Sequence, residues 1–159
     1  MANITLQGFE AYEKQLREMH KSADGLIKRA VYDGAAVVVD EVEKAIESLP
    51  THRVFYTKGM LYGVTREQKA GLLEGLGLSK MKNEDGFINT KLGFDGYNSV
   101  KTKKFPKGQP NALIARAVES GTSQRPKTRF VTNACKAAED RAEKAMEARI
   151  DADLKNMEG

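Results

Sequence analysis

Apolar residues recur at helical spacing through the first fifty positions of the chain. Phe9, Tyr12, Leu16, Met19 and Ala23 step by three or four, placing one apolar stripe on a helix from about Gly8 to Ser22. Glu10 with Lys14, and Glu13 with Arg17, are four apart with the acid first, which suits an exposed helical face. Asp24 and Gly25 interrupt the stripe and predict a break. A stronger pattern begins near Leu26, where Ile27, Val31, Gly34, Val38, Val42, Ala45 and Leu49 align and Val37 and Ile46 widen the stripe. Asp33, Asp40, Lys44 and Glu47 occupy the other side, and Pro50 marks the end. Gly34, Ala35 and Ala36 would let another element approach this helix closely.

The period then shortens. Arg53 to Tyr56 and Met60 to Val64, separated by Lys58 and Gly59, read either as a hairpin or as a loop that offers Phe55, Tyr56, Met60, Leu61 and Tyr62 to a partner. Thr65 is placed to cap a short helix over Arg66 to Leu73. Leu78 to Lys82, Phe87 to Phe94 and Tyr97 to Phe105 predict three strands of an antiparallel meander. Asn83-Glu84-Asp85-Gly86 joins the first two strands and the hairpin signal Asp95-Gly96 the last two. In that register Phe94 faces Tyr97 and Leu92 faces Ser99, so Ile88, Thr90, Leu92, Phe94 and Tyr97 share a face that can cover the long helix.

The stretch Asn111 to Phe130 joins this middle to the last helix. Ala112 to Val118 favours a short helix behind Pro110, and Gly121 stops it, since a residue without Cβ takes the left-handed conformation readily. Gln124 to Arg129 then reads as a basic arm that Pro126 keeps extended, anchored by Phe130 and Val131. From about Asn133 to Asn156, Ala134, Ala138, Ala142, Ala145, Met146, Ile150 and Leu154 align on a long helix, with Thr132 or Asn133 as its N-cap. Alanine buries little area per residue, so this helix needs a partner, within the chain or from another copy. The expected fold is α+β: two N-terminal helices, a small antiparallel β-meander, a short helix and a long C-terminal helix.

At 159 residues, 40% hydrophobic and 30% charged, the chain fits one domain over 1–159, with a variable insertion at about 50–69 and a projecting basic loop at about 101–108. No run of about 18 apolar residues exists, so no membrane partner is expected, and no signal peptide is read at the N-terminus. The single cysteine, Cys135, excludes an internal disulfide, fits a reducing cytoplasm and reads as an ordinary helix residue. Charge is unevenly placed. Between Gly96 and Ala138 lie nine basic residues and one acidic, Glu119, giving +8 in a chain of net +4, so the remainder carries −4. Such polarity suits nucleic acid through phosphate contacts, the acidic face of a neighbouring copy, or neither, as a solvated basic loop. Phe105 is the one ring between Lys101 and Arg129, which disfavours recognition by base stacking.

Catalysis is not expected. His20 and His52 stand in no metal-ligand spacing, and Cys135 is far from both in sequence. Gly71, Gly75 and Gly77 precede Ser79 and Lys80 without the Gly-Lys-Ser/Thr order of a phosphate loop, and Ser79 with Lys82 makes an S-x-x-K that lacks its companion motifs. Neither a cofactor nor a metal is implied.

The segment GQPNALIARAVESGTSQRPKTRFVTNA resembles the tail-component family of long-tailed bacteriophages, with Ala115, Glu119, Gly121, Thr122, Phe130 and Ala134 at matching positions. GLLEGLGLSKMKNEDGFINTKLGFDGYNS is similar to the middle of that family, and Ile27 to Leu49 to its first long helix. Arg129 stands where the family commonly has proline, and Ser120 where an aromatic residue is common. The resemblance implies a structural virion protein, a tail-completion or neck component made in the bacterial host cytoplasm. It implies a homo-oligomeric ring of six copies, or twelve, that joins the head connector to the tail tube or terminator proteins around a channel through which DNA passes. Lys101, Lys103, Lys104 and Lys107 are then candidates for a loop lining the channel or docking a neighbour, and Arg125, Lys127 and Arg129 for an arm on the next subunit. Glu119, Gly121, Thr122 and Phe130 form the structural motif. The alternative from a different class is a small basic nucleic-acid-binding protein using the same region.

Overall fold

The computed structural model describes residues 10–52 and 59–159. In chain order these form α1 (Glu10–Glu47), α2 (Arg66–Gly75), β1 (Leu76–Leu78), β2 (Lys82–Glu84), β3 (Phe87–Asn89), β4 (Leu92–Phe94), α3 (Asn111–Ser120) and α4 (Phe130–Glu158). The fold is helix-rich α+β, the class expected, with two long helices framing two small antiparallel sheets.

The two N-terminal helices are one. α1 runs without interruption for 38 residues through Asp24 and Gly25. An interior glycine costs a helix about 1 kcal/mol, and the turn that follows recovers more by burying Leu26 and Ala30. The partner covering that stripe is α4, which lies antiparallel to α1. Arg29 pairs with Asp153, Asp33 with Arg149 and Glu41 with Arg141, each at 2.7 Å. Gly34 serves the close approach expected of it, because a Cβ there would lie 2.6 Å from Met146 Cγ and 3.3 Å from the Ala142 carbonyl oxygen. In this register the end of α4 comes level with the stretch around Ala23. Residues 10–22 of α1 therefore run on past it by roughly 20 Å at 1.5 Å per residue. Met19, on the continuation of the covered stripe, is 66% exposed there.

One of the cross-helix pairs has a measurable signature. The hydrogen bond and charge of Arg141, with a smaller contribution from Lys44, hold the Glu41 carboxyl below the ordinary range against an opposing desolvation effect. A lowered carboxylate pKa contributes stability above the unfolded value of about 4.3, and that stability is lost as pH falls through the folded value. An NMR titration is expected to place Glu41 below the ordinary glutamate value of about 4.3. Arg141→Gln should return it toward that value; an unchanged midpoint in that variant would show that Arg141 is not the cause.

At the other end of the hairpin, Val42 and Ile46 of α1 and Leu49 just beyond it meet Val64, Leu72 of α2, Ile114, Ala115 and Val118 of α3, and Phe130 and Ala134 of α4 in the hydrophobic core. Phe94 adds a tilted ring contact with Phe130 at 6.3 Å between centroids. α2 begins with a reciprocal capping box. The Thr65 hydroxyl accepts from the Gln68 backbone N–H at 3.1 Å, and the Gln68 side chain accepts from the Thr65 N–H at 3.1 Å.

The β region is one hairpin with a kink rather than a three-stranded meander. Asp85 and Gly86, with φ of 53° and 88°, make the tight turn between β2 and β3, in which Glu84 faces Phe87. Further from the turn, β1 pairs with β4 so that Leu76 faces Phe94 and Leu78 faces Leu92. Between the two ladders, residues 79–81 stand opposite residues 90–91. The extra residue is a bulge, tied by Ser79 N to the Lys91 carbonyl at 2.8 Å and Lys91 N to the Ser79 hydroxyl at 3.0 Å.

The third strand does not form, and Phe94 and Leu92 do not face Tyr97 and Ser99. Buried polar side chains take the backbone groups that a second hairpin would have used. Asn111 Nδ2 donates to the Asp95 carbonyl at 2.8 Å, and Asn98 Oδ1 accepts from Val100 N at 2.9 Å and Gln109 N at 3.3 Å. Tyr97 instead makes a single bridge with Pro110, and residues 98–109 close into a loop. The proposed strand over Arg53 to Tyr56, like Phe55 and Tyr56 themselves, lies outside the described residues. Met60 to Val64 forms no hairpin strand: Val64 bridges Thr51 in parallel, and Met60 and Tyr62 are exposed.

Candidate functional site: a basic cleft

α3 supplies the frame. It starts behind Pro110 and ends at Gly121, whose φ of 77° and close backbone neighbours, Lys127 N at 2.9 Å and Arg125 O at 3.1 Å from a hypothetical Cβ, leave room for glycine alone. Next, Thr122 and Arg125 exchange backbone hydrogen bonds of 2.8 and 3.2 Å in a tight turn. The arm expected to be extended is thus folded back. Thr128 N donates to the Val118 carbonyl and Arg129 N to the Glu119 carbonyl, each at 3.1 Å, so the arm satisfies the carbonyls at the end of α3.

α4 begins at Phe130, three residues earlier than expected, and neither Thr132 nor Asn133 is its N-cap. The cap position is Arg129, in the left-handed conformation at φ 52° with no capping side-chain bond. Proline cannot adopt that φ. The capping acceptor comes from another helix. The Glu119 carboxylate accepts from Val131 N at 2.8 Å, Thr132 N at 3.2 Å and the Thr132 hydroxyl. Glu119, Gly121 and Phe130 are in this sense one device, which stops α3, reverses the chain and starts α4 with its first ring in the core. Thr122 holds the turn between them. Cys135, half-buried one turn into α4, has its thiol pushed up by burial and by the Glu119 charge, away from the reactive thiolate form.

Four of the seven basic candidates come together. Lys101, Lys103 and Lys104 of the 98–109 loop and Arg125 of the arm line one cleft of about 1030 Å³. Its floor includes Leu61, Val100 and Ile114, and its far wall the start of α2, with Thr65, Gln68 and the carboxylate-bearing Glu67. Lys107, Lys127 and Arg129 are exposed elsewhere and do not line it. The loop carrying the lysines is built rather than free. Thr102 and Phe105 exchange backbone bonds at 3.1 Å around Lys103 and Lys104, and Gln109 Oε1 accepts from the capping-box residue Gln68 at 2.9 Å. Arg125 is fixed too, its guanidinium donating to the Gly63 carbonyl while Leu61 N donates to the Gln124 carbonyl at 2.7 Å. Burial lowers the Arg125 pKa, yet an arginine stays charged.

His52 completes the wall, and both its ring nitrogens are buried without a hydrogen-bond partner among the described residues. Composition did not single out Leu61, Glu67, Gln68 or Gln109 for this cleft. In the sequence Leu61 reads only as part of a stretch offered to a partner, and the T-x-x-Q spacing of Thr65 and Gln68 was the one local signal available for the others. Among the described residues no cluster of three or more metal-ligating side chains exists, and no helix is long and apolar enough to cross a membrane. The arrangement offers fixed positive charge above an apolar floor.

No protein-family model, curated protein or solved structure matches this chain.

Proposed function

We propose that this chain is a structural virion protein of a tailed phage or prophage, a tail-completion or neck component that forms a ring at the head-tail junction. Six copies are the expected number and twelve the alternative, and the neighbours are the head connector and the tail tube or terminator proteins. The observation that carries the reading is a cleft with four cations built at one end of a long helical hairpin, while the other end leaves Leu154 and Met157 exposed. Two unlike surfaces on one subunit are what a head-to-tail ring requires. The resemblance of Ala115, Glu119, Gly121, Thr122 and Phe130 to the phage tail-component pattern supplies the virion context. Since the cations line a walled cleft, the reading uses no catalytic residue, metal or cofactor.

The test is made on particles. Mass spectrometry of purified virions is expected to find the chain, and virions produced without it should accumulate as separate filled heads and tails. Intact, joined particles lacking the chain would end the proposal. The same four cations also suit phosphates, and that is the one observation favouring a nucleic-acid-binding protein instead. It predicts a DNA affinity that falls steeply with salt in the isolated protein.

A further inference from the structure

We infer that the basic cleft of one copy receives the distal end of α4, residues 151–158, from the next copy. The inference rests on the ring reading above and specifies its joint. Charge is the first argument. Asp151 and Glu158 are exposed, as are Lys101, Lys103 and Lys104 of the cleft, while Lys155 on the same helical end matches Glu67 on the opposite cleft wall.

Apolar surface is the second argument. Leu154 and Met157, three residues apart on one face of α4, are 46% and 60% exposed, and the cleft floor presents Leu61, Val100 and Ile114. Position agrees as well, because the cleft lies at the α2–α3 end of the α1–α4 hairpin and residues 151–158 at the other. Each copy therefore carries one socket and one plug that cannot meet within the same chain, and the contact repeats head to tail.

Nucleic acid is disfavoured in the same cleft. Glu67 would oppose a phosphate, and among the described residues no Phe, Tyr or Trp lines the cleft to stack a base.

The test uses two full-length variants with opposite lesions, each checked for unchanged helicity and melting. One reverses the socket, Lys103→Glu with Lys104→Glu, and the other reverses the plug, Asp151→Lys with Glu158→Lys. In low salt the wild-type chain should self-associate beyond dimer by light scattering, and each variant alone should lose at least tenfold in association constant. Mixed one to one, the variants should regain assembly beyond dimer, because the acidic plug of the first meets the basic socket of the second and the basic plug of the second meets the acidic socket of the first. Three outcomes overturn the inference. A wild-type chain monomeric up to about 1 mM would leave no such joint. Variants that assemble like wild type would place the interface elsewhere. A socket variant that loses salt-dependent binding of a DNA duplex while self-association is unchanged would make the cleft a phosphate site. In each case the chain's presence in virions still decides the ring reading separately.

Discussion

Glu119→Ala is expected to lower the free energy of unfolding by about 3 kcal/mol. Three donors at the start of α4, Val131 N, Thr132 N and the Thr132 hydroxyl, converge on this one carboxylate. Loss of a side-chain cap costs about 0.5–2 kcal/mol. Hydrogen bonds to a charged group contribute about 1.5–3 kcal/mol, and a negative charge at a helix N-terminus roughly 0.3–1 kcal/mol. These overlap rather than add, since water reaches part of the site once the carboxylate is gone. Glu119→Gln keeps one acceptor oxygen and should lose about half as much. Denaturant unfolding followed by circular dichroism measures both variants. A shift below about 0.5 kcal/mol for alanine would mean that solvent already replaces the cap. The feature matters for the cleft because Arg125 lies on the chain between Glu119 and the helix it caps.

The other large effect is expected at Gly63. Its φ is 79°, and a Cβ there would fall on the Pro50 carbonyl oxygen, the acceptor for Val64 N at 2.9 Å. Alanine must both adopt the left-handed conformation, at about 1–2 kcal/mol, and push apart the bridge between Thr51 and Val64, so a loss of about 3–4 kcal/mol follows. Gly86 provides the control. At φ 88° nothing lies within 4 Å of its hypothetical Cβ, so Gly86→Ala should cost the conformational strain alone, about 1 kcal/mol. Equal losses at the two sites would show that crowding against Pro50 is not what fixes Gly63. Because the Gly63 carbonyl holds Arg125, a Gly63→Ala protein that still folds should also bring self-association down toward that of the socket variant.

The helices were legible because their determinants are local. The apolar period marked α1 and α4, Thr65 marked the start of α2, and Pro110 and Gly121 bounded α3. The break at Asp24-Gly25 failed because a local penalty of about 1 kcal/mol yields to burial against a helix more than a hundred residues away in sequence. Asp95-Gly96 was misleading for a related reason: the turn chemistry is sound, and Gly96 has φ 74°, but Asn98 and Asn111 compete for the backbone groups that follow it. Neither the bulge at Ser79 nor the cap from Glu119 leaves a short-range signature. The candidate site was legible as an inventory of charge and not as a place. Lys101, Lys103 and Lys104 meet Arg125 only because the 98–109 loop is pinned by Gln68 on one side and the arm is folded back along α3 on the other. Lys107, Lys127 and Arg129 are equally basic and point elsewhere, a distinction that spacing does not carry.

The pairing of α1 with α4 also sets a timetable. Arg29 and Asp153 are 124 residues apart, and at 5–20 residues per second a ribosome needs roughly 6–25 s to make the distance between them. Throughout that interval Leu26 and Ala30 have no native cover. A long-range closure of this kind is slow even when the chain is complete. The finished copies already in the cell each possess an α4 of the right shape, so domain-swapped dimers sharing exchanged C-terminal helices are the characteristic off-pathway product of this topology.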